Sequence, residues 1–271
     1  MDSGRLLVNR RFSDVLHQNG LTTFDSLFAL TNGEVVRQIK SRSTARIALS
    51  ADGVQRTFYL KRHEPPRLRE RLKPLLNLGR PIWGARNEWQ AILRFHAAGI
   101  PTMTPVAFGE AAGRSLLVTE DLGTDFTLLD WVDRVADAGP HESLPIQTDA
   151  EPLKRELIRR VAGLARRMHD AGIHHQDFYL NHILWRGEPA DLDLRVIDLG
   201  RVGVAENLSR RWILKDLAQL DFSARRLSCA DRLRFLRLYL GRPFRRADRR
   251  LVRLIAMKSG HIAAHTAKHS L

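Results

Sequence analysis

The sequence predicts an α+β chain in two halves: an antiparallel sheet with one packed helix, then a mainly helical half. Three observations carry this. Residues 35–62 read as β-rich runs broken by turn residues, residues 85–122 as a helix followed by two more strands, and residues 153–171 repeat apolar side chains at helical spacing.

In order along the chain, residues 12–31 read as one or two short helices. From Val35 the runs VVRQI, ARIALS and RTFYLKRH alternate or are rich in β-formers, with KSRS and ADG between them. Asp52-Gly53 is a strong hairpin signal, so residues 35–62 are expected to form a three-stranded antiparallel meander. Pro65-Pro66 ends it, and a basic helical stretch is expected to about Leu78. ARNEWQAILRFHAA at 85–98 reads as a helix with Trp89, Ile92, Leu93 and His96 on its inner side and Gly99 as its C-cap. TPVAFGE (104–110) and SLLVTEDL (115–122) are two further strands. A lobe boundary is expected near Asp121–Gly123, dividing 1–121 from 122–271. Beyond it, FTLLDWVDRVADA reads as a helix ended by Gly139-Pro140, and residues 140–152 as a polar loop. In 153–171, Leu153, Leu157, Val161, Leu164 and Met168 recur at spacings of four, four, three and four before Gly172, the clearest helix in the chain. HHQDFYLNHILWRG and LDLRVIDLGRV each place an acidic loop beside a short apolar strand. The rest, from about Leu208, reads as helical to near Lys258.

Composition removes several classes. The single cysteine, Cys229, cannot form an internal disulfide, which excludes a disulfide-stapled secreted scaffold. No apolar run approaches a membrane span, and MDSGRLLVNRRFSD has no signal-peptide core, so a cytoplasmic location is expected. The net charge of +14 is the outlier, and it is concentrated: residues 205–271 hold 16 Lys/Arg against 5 Asp/Glu. Residues 120–151 run the other way, with nine acids and one Arg. A basic C-terminal quarter is expected to attract polyanions such as anionic headgroups, phosphorylated glycans or acidic proteins. The basic run RRADRRLVR at 245–253 lacks any accompanying nucleic-acid recognition motif, so no nucleic-acid partner is expected.

Four polar residues fall where chemistry needs them. Lys61 lies on the third strand, Glu88 on the helix after it, Asp177 in the loop after the long helix, and Asp198 at the end of the last short strand. That is the order of parts in a protein-kinase-like fold. A transferred phosphoryl group spreads negative charge, so a cation and a metal must flank it. The acceptor hydroxyl needs a carboxylate within hydrogen-bond reach. In this reading Lys61, held by Glu88, contacts the nucleotide phosphates. Asp177 is the base, and Asp198 holds Mg²⁺. Either Asn181 or His182 is a second metal ligand, since Mg²⁺ prefers oxygen but His182 stands five residues after Asp177. Backbone groups near Glu120 and Leu122 are placed to bind adenine. Asp216, on a later helix, is expected to hold the catalytic-loop backbone or else to be a surface residue. Arg62 and the basic C-terminal region are expected to steer an anionic substrate. The histidines 169, 174, 175 and 182 suggest zinc, but no cysteine or carboxylate spacing accompanies them. His261, His265 and His269 fall on one face of a terminal helix.

The segments YLKRH, LLNLGRPIWGARNEWQAI, AAGIPTMTPVAFGE, LLVTEDL, MHDAGIHHQDFYLNHIL, RVIDLGRV and RRWILKDLAQLDFSA resemble the lipopolysaccharide kinase family (Kdo/WaaP type) over roughly residues 35–255. The resemblance implies a bilobal kinase-like fold and ATP- and Mg²⁺-dependent transfer to a sugar hydroxyl of the lipopolysaccharide inner core, heptose in the best-known members. It also implies a peripheral place at the inner face of the inner membrane and acyl carrier protein as a partner. This chain departs from the kinase pattern at Gln176, where Arg is usual, and at KSRSTAR, which replaces a glycine-rich loop. Only about ten residues separate Arg201 from the helix of Trp212, leaving little room to dock a peptide. The competing readings are a catalytically silent kinase-like scaffold and a protein kinase.

Overall fold

The computed structural model describes residues 5–39, 41–65, 84–124, 126–137 and 150–269. They form two compact units, Met1–Arg94 with Met103–Gly123, and Phe95–Thr102 with Thr124–Leu271. The stretch 66–78, Lys40 and residues 140–149 of the polar loop expected over 140–152 lie outside the described residues, and the helix after that loop begins at Ala150.

The first unit opens with β1 (Leu6–Val8) and two short helices, α1 (Ser13–Gln18) and α2 (Phe24–Phe28). The meander follows as β2 (Glu34–Ile39), β3 (Arg42–Ala51) and β4 (Val54–His63). Helix α3 (Arg86–Ala97) precedes the hairpin β5 (Pro105–Ala111) and β6 (Arg114–Glu120). All six strands join one antiparallel sheet in the order β1-β5-β6-β4-β3-β2. Asp52 and Gly53 both have positive φ, 51° and 76°, which matches the twist of the β3–β4 hairpin they close. Strand side chains alternate between faces. Phe58 and Leu60 on β4 are fully buried in a cluster with Phe12, Leu16, Phe24 and Leu27 from α1, α2 and their flanks. The next residue, Lys61, points to the opposite face, where α3 lies.

The sequence predicts one helix packed on the sheet and one or two short helices over 12–31 with no assigned place. The structure forms two, α1 and α2, packs them on the other face and adds β1 on the edge, whose three residues are too few to show a period. The inner side of α3 also differs from expectation. Glu88, Ala91, Ile92 and Phe95 are its buried residues, while Leu93 is 45% exposed and His96 is exposed. The buried stripe obeys i, i+3, i+4, i+7 once Glu88 is counted in it. A hydropathy pattern skips a glutamate, so it shifted the stripe around the helix.

Among its described residues, the regular structure of the second unit is helical apart from two short ladders. Its helices are α4 (Leu128–Asp137) and α5 (Ala150–Asp170), and between α5 and the next helix come β7 (Ile173–His174), β8 (Ile183–Arg186), β9 (Asp193–Val196) and β10 (Gly203–Val204). Then follow α6 (Arg210–Ser223), α7 (Cys229–Leu240) and α8 (Asp248–His269). Strands β8 and β9 pair with each other, and β7 pairs with β10. The five apolar residues read from the α5 pattern are all buried. Helix α8 runs on to His269 rather than stopping near Lys258, because a single glycine costs a helix only about 1 kcal/mol and AAHTAKH has no breaker. Gly172 has φ +72°, and a Cβ there would collide with the carbonyl of Ala205, whose N–H bonds Gly172 at 2.9 Å. That close approach brings β10 beside β7 and so aligns the segments that carry Asp177 and Asp198. Helices α4–α8 line a half-open apolar cavity of about 310 Å³ whose residues include Trp131, Leu157, Leu220, Leu236 and Ile255. Among the described residues no helix is long and apolar enough to cross a membrane.

Candidate active site

In the first unit Lys61 donates from Nζ to Glu88 Oε1 at 2.6 Å, and the two side chains are 22% and 6% exposed. The β4 register and the first turn of α3 make this pair. Glu88 sits where an apolar residue would otherwise pack, so its carboxylate depends on Lys61 for charge balance. Lys61→Met is therefore expected to lower stability by about 3 kcal/mol by leaving Glu88 buried and unpaired. Adding Glu88→Leu is expected to restore most of the melting temperature but not nucleotide affinity, checked by thermal unfolding beside ATP titration. If the double variant also regains affinity, the pair is only structural.

At the end of β6 the side chains are committed elsewhere. Glu120 accepts from Arg56 at 3.0 Å, and its backbone N–H donates to the carbonyl of Thr104. Asp121 accepts from Arg46 at 2.8 and 3.1 Å. Leu122 is half-buried in the turn that follows. Arg62 does not present itself to a substrate: it is half-buried and donates to the carbonyl of Leu30. Burial holds its guanidinium below the ordinary arginine value.

In the second unit, one face of α6 holds the loop that carries Asp177. Asp216, fully buried, accepts from the backbone N–H of His175 at 2.8 Å through Oδ2 and of Gln176 at 2.9 Å through Oδ1. Gln219 accepts from the N–H of Phe178 at 3.0 Å and donates to the carbonyl of Gln176 at 2.8 Å. Ser223 Oγ accepts from the N–H of Leu180 at 3.0 Å. These three positions, i, i+3 and i+7, share a helix face, so a run of loop backbone is satisfied by one stripe. The clamp fixes Gln176 at φ +71°, a left-handed conformation uncommon for a non-glycine residue. Of the two readings for Asp216, the structure thus selects the backbone-holding one. Tyr239 and His169 continue the clamp outward. The Tyr239 hydroxyl, kept protonated by burial, donates to His169 Nδ1 at 2.9 Å, and His169 Nε2–H faces Asp216 Oδ2 at 3.3 Å.

His175 ties the two acidic loops together. Its Nε2 lies 3.1 Å from the carbonyl of Ile197, an acceptor only, so Nε2 carries the proton. Nδ1 then accepts from the N–H of Asp177 at 3.3 Å. Burial drives its imidazole below the ordinary value. Asp198 follows Ile197 in the left-handed region, at φ 58° and ψ 55°. His182 donates from Nδ1 to the carbonyl of Asp177 at 2.7 Å, which leaves Nε2 facing Asp198 Oδ2 at 3.7 Å. Asn181 is exposed on the turn beside it. Of the two candidate ligands, the structure therefore brings His182, not Asn181, against Asp198. Asp198, 46% exposed, and His182 offer one carboxylate and one nitrogen donor. No group of three or more His, Cys, Asp or Glu among the described residues could hold a metal alone. Mg²⁺ commonly takes one or two carboxylates, with waters and substrate phosphates completing its shell, so the donor set fits an ion held jointly with a nucleotide. The histidines do not converge as a zinc site would require: His169 faces Asp216, while His174 stacks on Trp212 at 4.4 Å.

Arg201 is the site residue that sequence reasoning missed. Its Nη1 lies 3.2 and 3.1 Å from the two carboxylate oxygens of Asp177. The only signal was its position, directly after Asp-Leu-Gly.

Three histidines are held neutral by burial: His63, pushed down to about 4 with help from Arg42 and Lys61, and His174 and His175, both lowered. Each binds a proton more readily unfolded than folded. Their contribution is complete above the ordinary histidine value of 6.5 and is lost as pH falls through it toward about 4. The melting temperature is expected to fall steadily between those pH values. A flat profile from pH 7 to pH 5 would contradict this.

A model of the lipopolysaccharide kinase (Kdo/WaaP) family matches residues 27–239. The chain is 35% identical over 254 residues to lipopolysaccharide core heptose(I) kinase WaaP of Escherichia coli strain K12, covering 89% of this chain and 91% of that protein. It is 38% identical over 242 residues to the protein of the same name from Pseudomonas aeruginosa, covering 84% of each. A solved structure of WaaP in complex with acyl carrier protein superposes with a TM-score of 0.70 at 34% identity, covering 95% of this chain and 98% of that one.

Proposed function

The chain belongs to the lipopolysaccharide kinase (Kdo/WaaP) family, and from that premise we propose how its residues carry the family's reaction. It is an ATP-dependent phosphotransferase whose acceptor is a hydroxyl of a lipopolysaccharide inner-core sugar, heptose. The carrying observation is that this family match covers a chain in which Lys61 pairs with Glu88 and one α6 stripe holds the loop of Asp177.

In this reading residues 1–121 and 122–271 are the two lobes of one kinase-like domain. Lys61, oriented by Glu88, contacts the phosphates of ATP, and backbone groups at Glu120 and Leu122 take the adenine. Asp177 accepts the proton of the acceptor hydroxyl as it attacks the γ-phosphorus, and ADP leaves. Asp198 with His182, or with Asn181 if the ion demands oxygen, would hold Mg²⁺. Bound there, the ion would neutralise phosphate charge. Rigidity is the chain's own contribution: Asp216, Gln219 and His175 fix the backbone on either side of Asp177, so little reorganisation is needed when the hydroxyl arrives. The short stretch 201–209 before α6 suits a glycan acceptor better than a peptide.

Acyl carrier protein is the proposed partner. The relative solved with it supports this, as do two features of this chain: the basic C-terminal quarter, suited to an acidic protein, and the apolar cavity among α4–α8, suited to an alkyl chain. The same basic surface favours peripheral attachment to an anionic membrane face, where a glycolipid acceptor is displayed.

ADP release measured with ATP, with and without Mg²⁺ and with and without unphosphorylated core glycan, tests the reading. Release that requires both is the expected result. ATP binding without release would favour a silent scaffold, and release that is indifferent to the glycan would mean the acceptor is wrong.

A further inference from the structure

Two cations beside the Asp177 loop, and a third on the helix packed along α6, have no part in the transfer described above. Arg201 spans both Asp177 oxygens and is 59% exposed. Lys215, one residue before the Asp216 clamp on α6, lies with its ammonium 5.7 Å from the centre of the Trp212 ring. Trp212 is itself fixed by stacking on His174, with ring planes 15° apart, and Gly203 leaves room for that imidazole, which a Cβ there would strike. Lys258 comes from α8, which packs along α6.

Lys215 is thus half-buried on a rigid aromatic platform. Burial lowers its ammonium below the ordinary lysine value, Arg201 and Lys258 push the same way, and Asp177 and Asp216 oppose them. Neither carboxylate pairs with it directly: Asp177 is taken by Arg201, and Asp216 by His169 and the loop backbone. A half-buried ammonium beside two other cations is unfavourable until an anion joins them. A surface lysine would turn to water, whereas Lys215 is held in place by Trp212.

We infer that Arg201 and Lys215 form a subsite for an anionic group, a carboxylate or a phosphate, carried by the acceptor glycan next to the hydroxyl that is phosphorylated. This rests on Asp177 being the base. An anion in the subsite competes with Asp177 for Arg201. Seating the acceptor therefore draws Arg201 away and frees the Asp177 oxygens for the hydroxyl proton. Recognition of the right glycan and release of the base become one event, and water, which brings no anion, does not trigger it.

The test is steady-state kinetics of the full chain with three acceptors. They are the core oligosaccharide lacking phosphate only at the acceptor heptose, the same glycan with its carboxylates reduced to alcohols, and the same glycan stripped of its other phosphates. Lys215→Met is expected to raise the acceptor KM about 10- to 100-fold on the native glycan, the scale of a lost charged hydrogen bond, while the KM for ATP stays in place. Lys215→Arg, which keeps the charge, is expected to restore it, and Arg201→Gln to raise the acceptor KM likewise. On whichever neutralised acceptor lacks the recognised group, the wild-type KM is expected to rise by a similar factor and Lys215→Met to add nothing. An acceptor KM unchanged in Lys215→Met, or raised equally on all three glycans, overturns the subsite alone. No turnover of any acceptor by the wild type, with ATP bound, overturns the kinase reading and the subsite with it.

Discussion

Replacing Asp177 by Asn is expected to slow transfer to the core glycan by about 10²–10⁴-fold, the usual scale for losing a general base, while ATP still binds. Asn has nearly the same shape, and none of the loop's backbone contacts runs through the Asp177 side chain. His175, Gln176 and Phe178 are held by Asp216 and Gln219 whether or not residue 177 is charged. The amide cannot take the hydroxyl proton, so the loss should fall on kcat. Stopped-flow ADP release with saturating ATP and glycan measures it. A rate within tenfold of wild type would remove Asp177 from the chemistry and leave it as the partner of Arg201.

Asp216→Ala is expected to have the largest effect on folding, about 3–5 kcal/mol. Its carboxylate is fully buried and serves the N–H groups of His175 and Gln176 together with His169 Nε2. Alanine leaves three buried donors without an acceptor, and each costs more unsatisfied than it gained when paired. A fall of roughly 10 °C in melting temperature corresponds to the lower end of that range for a chain of this size. Activity should fall with it even below the transition, because the left-handed Gln176 has lost the bond that holds it. Gln219→Ala removes one acceptor and one donor and should show the same pattern at smaller amplitude. A full loss of activity in Asp216→Ala with an unchanged melting temperature would mean that Asp216 touches substrate instead.

The sequence disclosed the parts whose signals are local. The Asp52-Gly53 hairpin, the α5 stripe from Leu153 to Met168 and the order of Lys61, Glu88, Asp177 and Asp198 each depend on residues close in the chain or on a fixed spacing. What escaped depends on partners far apart. Glu88 sits in the buried stripe of α3 only because Lys61 waits on β4, so polarity alone shifted the expected stripe part-way around that helix. Arg62 reads as a free cation until the fold brings the Leu30 carbonyl to it. That His182 rather than Asn181 faces Asp198 turned on a bond from His182 to the Asp177 carbonyl, a matter of ring orientation that no spacing encodes. Arg201 was overlooked because an arginine after Asp-Leu-Gly has no meaning until Asp177, 24 residues earlier, is found opposite it. The α6 stripe of Asp216, Gln219 and Ser223 was half legible: its helical spacing is in the sequence, but its target is loop backbone, which has no sequence signature.

The most direct measurement is the mass and fragmentation of the core oligosaccharide after incubation with the wild-type chain, ATP and Mg²⁺. The account predicts a product heavier by one phosphoryl group, located on a heptose, formed in step with ADP and far more slowly with Asp177→Asn. An unmodified glycan alongside ATP bound at Lys61 would contradict it.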